Sequence, residues 1–219
     1  MAEDLIARLR RLDVCAVSDA CDRLKLAPAI TGIMSQTVRA RIAGRIATVK
    51  VAAGEKKGGS AHHLCTAAIE AAEPGGVVVV EQTTGIDAAG WGGILSRAAK
   101  MRGLSGAIVD GPTRDVDEAF EIEFPVFARG RTARTARGRI HEADTNCPVH
   151  IGGQRIEPGE YVIADSSGIV FIKPGDIAAV LEAAEMIAAR EAAMTKDVLA
   201  GKPVSEVMGA SYEQLLGHK

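Results

Sequence analysis

Aromatic residues are scarce in this chain: they make up 3% of its 219 residues. The scarcity matters most at the one basic cluster, 129–139, which reads RGRTARTARGR and holds five arginines. No aromatic residue lies between Phe127 and Tyr161, so the stacking platform of proteins that bind single strands is missing. The net charge of −2 gives no overall attraction to nucleic acid or to an anionic membrane. A nucleic-acid partner is therefore disfavoured, and the cluster is expected to pair with acidic residues of another subunit.

The motifs of several enzyme classes are also missing. Neither a G-x-G-x-x-G fingerprint nor a P-loop occurs, so nucleotide binding has no support, and no G-x-S-x-G nucleophile elbow is present. His62-His63 and the segment 141–144 lack the spacing of zinc ligands. Lys50 lies between two valines and would be the best candidate for a Schiff-base lysine, although a lysine on a half-buried strand more often points to solvent.

The four cysteines are scattered without a C-x-x-C pair, which is typical of free thiols in a reducing compartment. The first residues, MAEDLIARLRRLD, predict a charged helix rather than a signal peptide. No apolar run approaches the length of a membrane span. We therefore expect a cytoplasmic protein without a membrane segment.

The pattern of apolar residues predicts one compact α/β domain over residues 1–195, followed by a loosely attached C-terminal tail over 196–219. The run Val77–Glu81 is rich in valine and is typical of a central buried strand. Another strand is expected near 46–51, a loop over 54–60, and several short strands with Gly and Pro turns between 148 and 172. Helices are predicted over 3–12, 19–24 (with Ser18 as the N-cap), 62–72, and from Asp176 to about Met194.

The most informative pattern is G-x20-R-D-x2-E, which runs from Gly93 through Arg114-Asp115 to Glu118. The spacer predicts a helix over 94–102 that ends at Gly103, then a strand over 107–110 and a turn over 111–113. A nine-residue helix extends roughly 14 Å in one direction, and a strand of about four residues returns roughly 13 Å. The start of the helix and the Arg-Asp pair should therefore lie at the same end of the sheet.

This placement has a chemical consequence. The helix start offers free backbone N–H groups to an anion, while the arginine offers a fork of donors beside a hard carboxylate. Asp115 and Glu118 would share a helix face and could hold a cation such as Mg²⁺. The alternative is a surface ion pair together with acids that favour a helix N-terminus. Asp87, five residues before Gly92, could position a metal-bound water or simply cap a turn.

The run WGGILSRAAKMRGLSGAIVDGPTRDVDE resembles the RraA-like family, which includes class II 4-hydroxy-4-methyl-2-oxoglutarate / 4-carboxy-4-hydroxy-2-oxoadipate aldolases. The segments AAIEAAEPGGVVVV, FPVFARGRT and IEPGEYVIADSSGIVFIKPGD are similar too, so the resemblance covers roughly residues 12–192. It implies an α/β fold with a swivelling ββα core, assembled as a homotrimer or homohexamer with active sites between subunits.

The resemblance also implies roles for single residues. Asp115 would bind Mg²⁺ or Mn²⁺ directly, Glu118 would hold metal-bound waters, and Arg114 would contact the keto oxygen of the substrate. The backbone amides of Gly93, Ile94, Leu95 and Ser96 would bind a pyruvoyl carboxylate.

The implied activity is cleavage of a 2-oxo acid through a pyruvate enolate, by aldol cleavage or by decarboxylation of oxaloacetate. The alternative within the family is a non-catalytic protein that binds and inhibits a ribonuclease. Many members carry an acid where this chain has Gly93, so the acid/base of the reaction is left open, with Asp87 as a candidate.

Overall fold

The computed structural model describes residues 4–55 and 63–209. This part of the chain forms seven helices and ten strands. The helices are α1 (Leu5–Arg11), α2 (Val14–Arg23), α3 (Thr66–Ala71), α4 (Gly93–Met101), α5 (Val116–Glu121), α6 (Ile177–Leu199) and α7 (Val204–Val207). The strands are β1 (Met34–Ser35), β2 (Ile42–Ala53), β3 (Val77–Glu81), β4 (Gly106–Thr113), β5 (Val126–Arg131), β6 (Ile140–Thr145), β7 (Val149–Ile151), β8 (Gln154–Ile156), β9 (Tyr161–Ala164) and β10 (Ile169–Ile172).

One sheet dominates the fold. Its strand order is β1-β5-β4-β3-β2-β9-β10, and β6 pairs with β2 in addition. The strands β2, β3, β4 and β5 are parallel neighbours, whereas β1, β6, β9 and β10 pair in antiparallel fashion. Since the carboxyl ends of parallel strands meet at one edge of a sheet, the segments that follow β3 and β4 are brought to the same place.

Both faces of the parallel strands are covered, which explains the uninterrupted valines of β3. Val78 and Val80 pack in a cluster with the helices α3 and α4, whereas Val77 and Val79 face a second cluster that includes Ile151 of β7. A third cluster joins α1, α2 and α6 over β9 and β10. Alternate residues of β3 are thus buried on opposite sides, as expected for a central parallel strand.

The prediction of a single α/β domain is confirmed. The strand Val77–Glu81 and the four short strands after Pro148 also form where the sequence predicts them. In the part of the chain that the structure describes, no helix combines the length and apolarity needed to cross a membrane.

Some helix boundaries were predicted wrongly. The helix α2 begins at Val14 rather than Asp19, because the side chain of Asp13, and not that of Ser18, caps it by accepting from the Ala16 amide at 2.8 Å. The helix α3 begins only at Thr66, since Cys65 adopts a left-handed conformation with φ of 68°. His62, part of the same prediction, lies outside the described residues.

Two other elements are longer than predicted. The strand β4 continues through the expected turn and pairs again with β5 at Pro112 and Thr113 after a register shift. The helix α6 runs to Leu199, past the predicted end near Met194. The boundary between domain and tail at 195/196 stays a prediction, and residues 210–219 lie outside the described part, as do 56–60 of the predicted loop.

Candidate active site

The two halves of the G-x20-R-D pattern are in contact. Trp91, just before α4, forms a parallel bridge with Thr113 at the end of β4. The Trp91 carbonyl oxygen accepts hydrogen bonds from the Arg114 amide at 3.1 Å and from the Thr113 hydroxyl at 3.2 Å. The start of α4 is therefore tied to the residues that follow β4, at the same end of the sheet.

Asp115 stands at the centre of this junction. It adopts a left-handed conformation with φ of 55°, which aspartate tolerates better than most residues, and it is the N-cap residue of α5. Its Oδ2 atom accepts from the Gly93 amide at 3.0 Å and from Arg114 Nε at 3.2 Å. Among the described residues nothing donates to its Oδ1 atom, and the side chain is 35% exposed. One carboxylate oxygen is held in place while the other is left for a ligand.

The glycines before and at the start of α4 make room for both carboxylates. A Cβ atom on Gly92 would lie 2.9 Å from Asp115 Oδ2, and one on Gly93 would lie 2.5 Å from Glu118 Oε2. Glu118 also pairs with Arg97, whose Nε atom is 3.4 Å from Glu118 Oε2. The two carboxylates therefore converge on bare backbone, where a larger residue would displace them.

This donor set fits a hard divalent cation. Among the residues described, no group of three or more His, Cys, Asp or Glu side chains is arranged to hold a metal. Asp115 and Glu118 would thus supply two carboxylates at most, and the remaining positions would fall to water or substrate. Mg²⁺ is commonly bound in this way, by one or two carboxylates with several waters retained.

The anion site at the start of α4 is smaller than the sequence predicts. Of the four amides expected to bind a carboxylate, that of Gly93 donates to Asp115 and that of Ser96 donates to the Gly92 carbonyl at 3.0 Å. The amides of Ile94 and Leu95 have no partner within the described part of the chain. Two free N–H groups at a helix N-terminus still form a ready site for an anion.

Ser96 has a supporting position instead. Its side chain is buried, and its hydroxyl accepts from the indole N–H of Trp91 at 2.9 Å and donates to the Gly92 carbonyl at 3.1 Å. Trp91 in turn stacks on Phe124, with ring centroids 6.4 Å apart and an angle of 11° between the rings. This arrangement supports the backbone of Gly92 and Gly93 on the side away from the cavity, so Trp91 has a packing role.

A cavity of about 240 Å³ opens in front of these groups. Its charged lining consists of Arg114, Asp115 and Glu118, and the rest of the wall is mostly apolar or backbone. Two residues of the wall have no sequence signal that points to the site: His63 before α3 and Thr135 in the arginine-rich segment. The lining residues are His63, Leu64, Ala89, Gly90, Trp91, Gly92, Gly93, Ile94, Leu95, Arg114, Asp115, Glu118, Thr135 and Ala136.

Asp87 does not line this cavity. Its side chain is 57% exposed, and its Oδ2 atom lies 3.4 Å from Arg134 Nη1. Lys50 is 44% exposed and lies 4.0 Å from Glu81, so it is not the buried lysine that Schiff-base chemistry needs. The structure thus gathers Arg114, Asp115, Glu118 and the start of α4, and it leaves both Asp87 and Lys50 elsewhere.

Several arginines of the segment 129–139 form hydrogen bonds or ion pairs with side chains of the same chain. Arg129 binds the buried carboxylate of Asp110 at 2.6 Å, and Arg131 donates to the side chain of Gln36 at 2.9 Å. Pairing with another subunit stays a prediction for the rest of the cluster.

All four cysteines are free thiols. Burial raises the pKa of Cys21 to about 11 and that of Cys65 well above 9.0, with Glu142 adding to the effect at Cys65. Both are therefore protonated at neutral pH, which excludes them as nucleophiles there.

A helix start that faces an arginine and two carboxylates in a small cavity defines an α/β protein suited to a small anion and a hard cation. The RraA-like family, described as Aldolase/RraA, matches residues 14–171, and the chain belongs to this family. A similar relative is the "Putative 4-hydroxy-4-methyl-2-oxoglutarate aldolase" of Halalkalibacterium halodurans, which is 28% identical over 94% of this chain and 95% of its own length. Protein DlpA of Legionella pneumophila is 29% identical over 79% of this chain, which spans only 28% of that relative's length.

Solved structures agree on the fold. An uncharacterized protein from Pseudomonas syringae superimposes with a TM-score of 0.84 and 26% identity, over 95% of this chain and 98% of the other. RraAS2 of Streptomyces coelicolor, an unusual member of the RNase ES inhibitor RraA protein family, gives a TM-score of 0.76 over 87% of this chain and 95% of its own. Because RraAS2 is only 22% identical to this chain, its similarity is evidence for a shared fold and not for a shared activity.

Proposed function

We propose that this protein is a divalent-metal-dependent lyase that cleaves a 2-oxo acid, by aldol cleavage of the 4-hydroxy-4-methyl-2-oxoglutarate type, by decarboxylation of oxaloacetate, or by both. The observation that carries the proposal is the convergence of three kinds of group on one small cavity. These are the free amides of Ile94 and Leu95, the guanidinium of Arg114, and the carboxylates of Asp115 and Glu118. The names of relatives such as the Halalkalibacterium protein support the same class of reaction.

Each group in the cavity has a proposed role that follows from its chemistry. The amides of Ile94 and Leu95 bind the carboxylate of the 2-oxo acid, because an anion is stabilised by free N–H groups at a helix start. Arg114 donates to the keto oxygen, where negative charge develops when the neighbouring carbon–carbon bond breaks. Asp115 Oδ2 keeps the guanidinium aimed at the cavity through its contact with Arg114 Nε.

Asp115 and Glu118 would hold Mg²⁺ or Mn²⁺, with Asp115 Oδ1 as the direct ligand and Glu118 reaching metal-bound water. When bound, such a cation supplies a Lewis acid that stabilises charge on the keto oxygen. The left-handed backbone of Asp115 and its bond from the Gly93 amide orient this carboxylate before any ligand arrives.

The test is release of pyruvate from oxaloacetate and from 4-hydroxy-4-methyl-2-oxoglutarate, with Mg²⁺, with Mn²⁺ and with EDTA. We expect release that depends on the cation and is lost in Arg114→Ala. Arg155→Ala is the matched control, because Arg155 also pairs with a neighbouring acid, Glu157, at 2.7 Å but lies outside the cavity. Turnover that survives in folded Arg114→Ala protein would refute the role of this arginine.

The second candidate is a protein that binds and inhibits a ribonuclease. The RNA-processing inhibitor RraA of Thermus thermophilus, a structural neighbour with a TM-score of 0.58 and 25% identity over 71% of this chain, favours it. Such binding would not need Asp115, so a ribonuclease pull-down that is unaffected by Asp115→Ala, without any pyruvate release, would replace the first proposal. Gel filtration with light scattering would test the proposed homotrimer or homohexamer.

A further inference from the structure

The proposed cleavage of a 2-oxo acid requires a group in the cavity that transfers a proton. When a bond next to the keto group of a 2-oxo acid breaks, C3 of the pyruvate unit must finally receive a proton, and enzymes usually deliver it from a side chain. Position 93 is a glycine, and Asp87 points to Arg134 rather than into the cavity. Arg114 stays protonated under all ordinary conditions. The proposed function commits Asp115 and Glu118 to the cation.

His63 is the remaining titratable side chain among the described residues that line the cavity. Its Nδ1 atom lies 3.1 Å from the carbonyl oxygen of Leu64. Because a carbonyl oxygen can only accept a hydrogen bond, Nδ1 carries the proton in this arrangement. A neutral ring then presents the lone pair of Nε2, which can accept and return a proton.

The backbone that carries His63 is held firmly. The His63 carbonyl oxygen accepts from the Thr66 amide at 3.2 Å and from the Thr66 hydroxyl at 2.8 Å. Two residues after the histidine, Cys65 is completely buried, and its amide donates to Glu142 Oε2 at 2.7 Å. An exposed imidazole is thus attached to an anchored turn at the wall of the cavity, which favours a defined position over that of a freely moving surface histidine.

We propose that His63 is the catalytic residue that carries the proton to and from C3 of the pyruvate unit. This inference rests on the proposed function. In aldol cleavage, Nε2 accepts the proton of the 4-hydroxyl group as the C3–C4 bond breaks and its electron pair moves towards the keto oxygen. The carbonyl product leaves. The imidazolium then donates the same proton to C3, the keto group re-forms, and the ring is neutral again, so no proton is gained or lost overall.

The experiment is exchange of the pyruvate methyl hydrogens in D₂O with Mg²⁺, followed by proton NMR. His63 would remove a methyl proton, exchange it with solvent and return a deuteron. We compare wild type, His63→Gln and His63→Ala, and we add imidazole to the alanine variant. The matched control is His141→Gln, because Nδ1 of His141 also lies 2.8 Å from a carbonyl oxygen, that of Gly54, but His141 does not line the cavity.

General acid–base catalysis is usually worth about 10²–10⁴-fold in rate. We therefore expect exchange to slow at least about 100-fold in both His63 variants, to recover in part with imidazole in His63→Ala, and to be unchanged in His141→Gln. A merely structural role would not give rescue by imidazole. Exchange in His63→Gln within about threefold of wild type would overturn the assignment.

Pyruvate release by the wild type separates the two proposals. If wild type releases pyruvate from either 2-oxo acid and His63→Gln exchanges normally, the lyase stands and the role of His63 falls. If wild type neither releases pyruvate nor exchanges its methyl hydrogens, both proposals fall. Fluorescence of the buried Trp91 reports whether each variant is folded.

Discussion

Replacing Asp115 with asparagine tests the cation site with little change in shape. Asparagine is nearly the same size as aspartate, and it tolerates the left-handed conformation found here, with φ of 55°. Its amide oxygen can take the place of Oδ2 and accept from the Gly93 amide and from Arg114 Nε. Its NH₂ group then stands where Oδ1 stood, and an N–H donor cannot bind a cation.

The expected effect on the rate is large and the effect on stability is small. A bound cation stabilises charge in the transition state by several kcal/mol, and each 1.36 kcal/mol corresponds to a factor of about ten in rate. We therefore expect cation-dependent turnover to fall by about 10²–10⁴-fold. Because the carboxylate is 35% exposed and its contacts can be kept, we expect the free energy of unfolding to change by less than about 1 kcal/mol.

The assay is pyruvate release coupled to lactate dehydrogenase over a range of Mg²⁺ concentrations, together with urea unfolding followed by the fluorescence of Trp91. A titration with Mn²⁺, read by electron paramagnetic resonance, should show weaker binding to the variant in the absence of substrate. Asp117→Asn is the matched control, since Asp117 lies in the first turn of the same helix but outside the cavity.

Two results would refute the reasoning. If Asp115→Asn keeps cation-dependent turnover within about tenfold of wild type, Oδ1 of Asp115 is not the direct ligand. If Asp117→Asn loses as much activity as Asp115→Asn, the loss reflects the general negative charge at the start of α5 rather than a particular ligand.

Two further predictions concern the support of the site and its thiols. Ser96→Ala leaves the buried indole N–H of Trp91 without its acceptor, so the free energy of unfolding in urea should fall by about 1–3 kcal/mol; an unchanged midpoint would contradict this. Cys65 has a pKa raised well above 9.0 by burial, so the folded state keeps its thiol proton where the unfolded chain loses it. Its contribution to stability is therefore present below pH 9 and is lost as the pH rises beyond it. A flatter decline between pH 8 and 10 in Cys65→Ala than in wild type, measured by urea unfolding, would support this, and identical curves would speak against it.

The sequence predicts the parts of the fold that depend on local pattern. The valines of β3 and the G-x20-R-D spacing are such patterns, because burial on two faces and the lengths of a helix and a strand follow from them directly. The sequence does not locate the start of α2, because Asp13 and Ser18 are both good caps. In the structure Val14 and Val17 are buried in the same cluster as residues of α6, which favours the earlier start. Nor does the sequence place His63 at the cavity, since the turn that carries it is held by Glu142, far along the chain.

Gly93 shows why a departure from a family pattern has to be considered in three dimensions. The resemblance to the family implies only that an acid expected at this position is absent. The structure shows that the space beside Gly93 contains the carboxylate of Glu118, 2.5 Å from where a Cβ atom would lie, held there in part by Arg97. A side chain at position 93 would therefore have to displace the Glu118 carboxylate from its present place. The carboxylate beside the start of α4 is thus that of Glu118. Among the described titratable side chains that line the cavity, His63 is the one to which the proposed function gives neither the cation nor the keto oxygen, which makes it the candidate for proton transfer.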